Sequence, residues 1–300
     1  MKKARSIRRS RDELIFDIVN VFLLVLFSLA CLLPMLNVFS KAFSSESMVI
    51  SGRILFWPRE FQVESVWFML NQVGFRTSFI NTVYITVVGT LLNLIITVLA
   101  AYPLSRKRLK GRSYFLFVIV FTMLFSGGLI PTFILVQRLG LMNNLWALIL
   151  PGLTSPFFII VLRNYFEGIP VSLEESAKID GASNARTLIS VMLPLALPCL
   201  ATLAVFYAVA HWNNYFGPLL YIHSRENFTL QLYLRQILDS TSSITASTLI
   251  NATQMRALRN KAPLIIQASA VFLTTVPILV VYPFLQRYFV RGMTLGAVKG

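Results

Sequence analysis

The residues whose types and spacing could do chemistry form one polar island, Glu174-Glu175-Ser176-Ala177-Lys178-Ile179-Asp180-Gly181-Ala182. It lies between two apolar stretches and is followed by Val191-Met192-Leu193-Pro194. Carboxylates, a lysine and an aspartate-glycine pair at this density suit a docking knuckle, with charge to orient a partner and a glycine to bend the chain. Ser172 and Glu175 have capping-box spacing, in which the serine accepts the amide of Glu175 and the glutamate reaches back to the amide of Ser172. A short helix is therefore predicted to start at Ser172. Asp180-Gly181 supplies the turn, because glycine tolerates positive φ, and Ser183 can cap a second helix running toward Leu193. Helix capping and partner contact both suit Glu175, and the turn alone could account for Gly181.

Signatures of catalysis are missing elsewhere in the sequence. There is no Gly-x-x-x-x-Gly-Lys-Ser/Thr loop for ATP, no His-Glu-x-x-His zinc motif and no Gly-x-Ser-x-Gly elbow. The expectation is a chain that is not an enzyme and holds no metal or cofactor. None of the 12 acidic residues lies in the middle of a long apolar stretch, and only Asp17 approaches one. The intramembrane carboxylate on which proton-coupled carriers depend is thus absent. His211 and His223 stand too far apart in context for a relay or a metal pair, and each is expected to be a hydrogen-bonded loop or interface residue. Cys31 and Cys199 both fall in apolar stretches, which argues against a disulfide framework or a cysteine metal site.

The elements that must position this island are membrane spans. Hydrophobic residues make up 56% of the 300 and charged residues 13%, with a mean hydropathy of +0.70. A bilayer core of roughly 30 Å needs about 20 apolar residues per helix, since backbone polar groups facing lipid must be paired within the segment. Six stretches qualify: 15–39, 79–105, 114–137, 144–163, 192–210 and 264–289. Residues 91–99 do not alternate apolar with polar, as a spanning strand would. The fold class is all-α, an integral membrane bundle of six transmembrane helices. Lys2, Lys3, Arg5, Arg8, Arg9 and Arg11 precede the first span, and Arg106, Lys107, Arg108, Lys110 and Arg112 follow the second. Basic short loops stay inside, so both termini are expected to be cytoplasmic.

The net charge of +15 flanks spans instead of lining one face of a soluble domain, which points to topology and anionic lipid and away from nucleic acid. The first apolar run continues through Pro34 and Met35 without a small-residue cleavage site, so it is expected to stay as a span and not to be removed as a signal. The resulting organisation is a basic tail (1–14), a first span (15–39), an outer loop (40–78), a core (79–289) and a C-terminal tail (290–300). Within the core lie a polar connection (164–191) and a second outer loop (211–263).

Weaker candidates lie along that core. Ser126-Gly127-Gly128 with Pro131 could interrupt the third span next to a water-filled path, or could pack helices closely. Trp212, Asn213, Asn214 and Tyr215 combine aromatic faces with amides, the chemistry that grips sugars, but an interfacial aromatic belt uses the same residue types. Residues 231–238 have the apolar spacing of a short helix.

The polar island resembles the signature Glu-Ala-Ala-x3-Gly-x9-Ile-x-Leu-Pro of importer permeases in the ATP-binding-cassette superfamily. Glu175-Ser176-Ala177, Gly181 and Val191-Met192-Leu193-Pro194 fall at those spacings, with Ser176 and Val191 the two departures. Asn81-Thr82, Ala100-Ala101-Tyr102-Pro103-Leu104-Ser105-Arg106, Ile130-Pro131-Thr132 and residues 292–300 look like the maltose-type, oligosaccharide-importing members. Residues 207–215 and 282–289 are similar to the subgroup linked with complex polysaccharide fragments. The resemblance implies a permease subunit in a bacterial cytoplasmic membrane that imports oligosaccharides, which could be acidic. Its implied partners are a second homologous permease, two ATPase subunits that bind ATP and Mg, and an extracytoplasmic solute-binding protein.

The same resemblance makes the island a coupling helix docked in the ATPase, with Glu174, Glu175, Ala177, Asp180, Gly181 and Ala182 as its residues. The path for sugar would then draw on Trp212, Asn213, Asn214, Tyr215, Gly127 and Gly128. Arg225, Arg235, Arg256, Arg259 and Lys261 would face an acidic partner surface or an acidic sugar, and the last ten residues would lie between the ATPases or stay disordered. A stand-alone facilitator, an ion-coupled carrier and a membrane scaffold for a polysaccharide enzyme are the alternatives.

Overall fold

A computed structural model of the chain describes residues 11–242 and 263–297. The basic tail before residue 11, Arg256, Arg259, Lys261 and residues 298–300 lie outside the described residues, as do the side chains of 282–289. Among the described residues every regular element is helical. In chain order these are α1 (Arg11–Ala42), α2 (Glu46–Ile50), α3 (Glu64–Leu70), α4 (Val73–Ser105), α5 (Arg112–Leu124), α6 (Leu129–Arg138) and α7 (Pro156–Glu167). There follow α8 (Val171–Ile179), α9 (Asn184–Thr187), α10 (Leu193–Asn213), α11 (Phe216–Tyr221), α12 (Leu230–Ser242) and α13 (Pro263–Ala297).

Among the described residues four helices are long and apolar enough to cross a membrane unbroken: Ile15–Ala42, Val73–Ser105, Asn184–Asn213 and Pro263–Val281. The two remaining predicted spans are broken. Residues 114–137 form α5 and α6, bent by 108°, because Gly128 adopts φ +88° and the stretch 125–128 leaves the helical ladder. Residues 144–163 begin as two short 3-10 turns, Leu145–Leu148 and Leu150–Gly152, before α7, and this pair bends by 52°. Pro151 and Pro156 supply no amide donor, which an α-helix interior would need. Ser155 instead caps α7 by accepting the amide of Phe158. A π-turn, Leu188–Met192, joins α9 to α10, just before Pro194, whose ring cannot donate to the preceding turn.

Two compact units emerge. The first comprises Met1–Met69 and Leu238–Leu273. Phe43 stacks on Phe61, and Phe272 sits edge-on to both Phe39 and Phe43 around Ala42, Val66 and Ala268. The predicted outer loop 40–78 contains α2 and α3, and α4 opens at Val73. Most of α1 is left uncovered by this chain.

The second unit comprises Leu70–Ile237 and Thr274–Gly300. Here α4 packs on α10 and α7 around Tyr102, Ile159, Phe166, Met192, Leu203 and Tyr207. Lipid is as apolar as leucine, so burial does little to join spans, and close packing with buried hydrogen bonds does more. Thr97 Oγ1 and Tyr207 Oη meet at 2.8 Å, and Asn93 Nδ2 donates to the Gly152 carbonyl at 2.7 Å. His211 Nε2 lies 2.7 Å from Asn93 Oδ1, so this histidine is the hydrogen-bonded interface residue expected. Asn143 organises the other end, its side-chain oxygen accepting the amides of His223 and Ser224. Residues 290–297, expected as a glycine-rich tail unable to fold alone, are helical as the end of α13, a helix already formed and merely extended there.

Candidate functional site

The polar island folds as a helix-turn-helix whose parts follow from local chemistry. Pro170, not Ser172, is the N-cap of α8, and no side chain caps that end. Proline presets φ for the turn into the helix, so α8 starts at Val171 and places Ser172 inside the first turn, where the predicted capping box cannot form. At the other end Gly181 has φ +80°. Its amide bonds the Lys178 carbonyl at 3.0 Å and the amide of Ala182 bonds Ala177 at 2.9 Å, the paired bonds of a Schellman ending. Ser183 then caps α9 through the amide of Arg186, as predicted.

Adjacent residues on α8 meet different surroundings. Glu174 is 4% exposed and Glu175 is exposed. The Glu174 carboxylate meets Arg106 Nη1 at 2.7 Å, Lys178 Nζ at 2.7 Å and Arg108 Nη2 at 3.2 Å. Burial alone would raise its pKa. The hydrogen bond from Lys178 and the charges of Arg106, Lys178 and Arg108 outweigh this and hold it below the ordinary carboxylate value.

Arg106 is the hub. It stacks over the Tyr102 ring with 4.9 Å to the centroid and reaches Met192 Sδ in the π-turn at 3.3 Å. Arg108 also donates to Asn184 Oδ1 on α9 at 2.7 Å. Beside them Arg112 donates to the Leu104 carbonyl at 2.8 Å, satisfying the C-terminal end of α4. Glu167 binds both Arg112 and Arg163. The elbow is thus clamped to the end of α4, and its second arm runs without a break into α10.

The turn is presented outward. Glu175, Asp180 and Gly181 are exposed, Ala177 and Ala182 are half-buried, and Ile179 is 87% exposed. The substrate-path candidates divide in the same way. Trp212 is buried edge-on to Phe79, and Asn214 uses its side-chain oxygen on the amide of Gly217 at 3.1 Å. Asn213 and Tyr215 are exposed, with the Arg235 guanidinium 5.8 Å from the Tyr215 ring centroid. Gly127 and Gly128 are exposed at the α5–α6 break.

Residues 93–295 match the family described as the binding-protein-dependent transport system inner membrane component. The chain belongs to this family.

The permease is 38% identical over 286 residues to the polygalacturonan/rhamnogalacturonan transport system permease protein YtcP of Bacillus subtilis (strain 168), covering 95% of this chain and 99% of that protein. To protein LplC of the same organism it is 37% identical over 302 residues, covering 100% of both. A chain in the crystal structure of a bacterial ABC transporter involved in the import of the acidic polysaccharide alginate superposes with a TM-score of 0.86 at 35% identity. That match covers 95% of the permease and 100% of the other chain. The permease is therefore a non-catalytic membrane component of a transport system, and neither a stand-alone carrier nor a scaffold is favoured.

Sequence reasoning treated Arg106 and Arg108 as topology signals and missed their grip on Glu174. The Glu174–Lys178 spacing of four residues was the available clue. Ile179 was also missed, since an isolated apolar residue in a polar island carries no periodic signal. The helix expected over 231–238 is present within α12.

Proposed function

We propose that the permease is one of two homologous membrane subunits of an ATP-binding-cassette importer that carries fragments of an acidic polysaccharide into the cytoplasm. Both termini and the α8–α9 elbow face the cytoplasm, where two ATPase subunits bind ATP and Mg and dock on the elbow. An extracytoplasmic binding protein delivers the sugar. The names of YtcP and of the alginate importer support the acidic polysaccharide class.

The observation that carries this reading is the pairing of a clamped base with a bare tip. Glu174 ties the elbow to α4, while Glu175, Ile179, Asp180 and Gly181 are left to a partner. Closure of the ATPase pair would push on the tip, and the continuous helix from Asn184 to Asn213 would carry the displacement across the membrane. Asn213 and Tyr215 are the sugar-contact candidates left accessible.

The test is co-purification of the ATPase together with substrate-stimulated ATP hydrolysis. A β-carbon at Gly181 meets nothing within 4 Å, so substitution there acts through backbone strain of about 1–2 kcal/mol. Gly181→Val is expected to reduce both readouts strongly, whereas Gly181→Asn, which tolerates positive φ, keeps most of them. Glu175→Lys should detach or uncouple the ATPase without unfolding the permease. Wild-type values for Gly181→Val and Glu175→Lys would remove the elbow from the mechanism.

A further inference from the structure

Between the end of α4, the basic connection after it and the start of the α9–α10 helix lies a cavity of about 580 Å³. Its wall combines Arg106, Arg108 and Lys110 with Tyr102, Leu109 and Leu188. Two of these residues carry buried polar atoms that lack a partner: the Tyr102 hydroxyl, on a residue 7% exposed, and Arg106 Nε. A buried donor left unmatched is costly, more so when charged, and native structures leave few. Both atoms can donate, so an acceptor would satisfy them.

The surrounding charge gives that acceptor its sign. Glu174 is shared by Arg106, Arg108 and Lys178, and Glu167 is shared by Arg112 and Arg163. Lys110 adds a further cation to the wall. Two carboxylates do not neutralise this group, and an anion would enter a donor-rich, cationic cup. The apolar side of the cavity makes a further demand. Leu109 and Leu188 are wasted on a small hydrated anion but suit a ligand with a hydrocarbon part. The cavity also lies where a membrane span meets its basic flank, the depth of lipid headgroups.

We infer that this cavity binds the phosphate of an anionic membrane phospholipid, with Arg106, Arg108, Lys110 and the Tyr102 hydroxyl around the headgroup and the acyl chains leaving past Leu109 and Leu188. Because Arg106 also holds Glu174, the bound lipid completes the anchor of the elbow, a consequence that rests on the coupling role proposed above. The binding itself does not depend on that role.

The experiment measures lipid retention by the full chain in nanodiscs containing phosphatidylglycerol and phosphatidylcholine, by mass spectrometry of the bound lipid and by thermal unfolding. Phosphatidylglycerol is expected to be retained preferentially and to raise the unfolding temperature. Tyr102→Phe removes only an unmatched hydroxyl and so should fold. It is expected to weaken retention about tenfold, the effect of losing one hydrogen bond to a charged group, and Lys110→Gln should weaken it as well. Inorganic phosphate should not displace the lipid. If it did, and alone gave the same thermal shift, a soluble phosphate would replace the lipid as ligand. Equal retention of the two lipids, or retention unchanged in both variants, would overturn the site. None of these readouts involves the ATPase, so their failure leaves the docking of the elbow standing, and the loss of that docking leaves them intact.

Discussion

Glu174→Ala is expected to destabilise the permease by about 3 kcal/mol, the usual cost of removing one member of a buried ion pair, and to release the ATPase proposed to dock on the elbow. The substitution strips Arg106, whose side chain is 11% exposed, of its carboxylate while keeping the guanidinium inside. It also frees α8 from the end of α4, because Arg106 and Arg108 reach that arm through this one side chain, while α9 keeps the bond from Arg108 to Asn184. Glu175→Ala is the control. One position further along and exposed, it should change stability by no more than about 0.5 kcal/mol, while still weakening the proposed ATPase docking. Thermal unfolding of both variants separates anchor from contact, and equal stabilities would show that the clamp contributes nothing.

The same carboxylate predicts a pH dependence. Its folded pKa lies below the ordinary value, so its contribution is fully present above the ordinary carboxylate range and is lost as pH falls through the lowered value. The stability gap between wild type and Glu174→Gln should therefore be constant around neutrality and close under strong acid. A gap that widened on acidification would contradict the ion-pair geometry.

A second large effect is expected at Gly89, where any side chain collides with His211. A β-carbon there would sit 2.5 Å from Nε2 and 2.7 Å from Cε1 of the histidine. The ring cannot swing aside freely, since Asn93 holds it at 2.7 Å and is itself bonded to the Gly152 carbonyl. Gly89→Ala should cost about 1–3 kcal/mol by overpacking, with a comparable further penalty if Asn93 is left unmatched. Gly89→Leu should prevent α4 and α10 from packing. The check is a double-mutant cycle with His211→Ala, which empties the space the new side chain needs. Strong non-additivity in thermal unfolding is the expected outcome. Additive losses would mean that the two residues do not meet.

Much of this molecule was written in local patterns. Long apolar runs specify spans because an unpaired backbone group in lipid is too costly, and that requirement needs no tertiary information. Gly181 and Ser183 were readable because a turn and a cap involve atoms only a few residues apart. The Ser172 cap failed for an equally local reason: Pro170 starts the helix sooner. The breaks at 125–128 and before α7 were harder, since glycine and proline permit a bend without dictating its angle.

By itself, the sequence determined that the chain is a helical membrane protein with an acidic, glycine-bent elbow between two spans. It could not say which acidic residue faces inward. Glu174 and Glu175 are chemically identical neighbours about 100° apart around a helix, and only the arrival of Arg106 and Arg108, roughly seventy residues earlier in the chain, makes one an anchor and leaves the other exposed. That choice is tertiary because a carboxylate is buried only where its cations are brought to meet it.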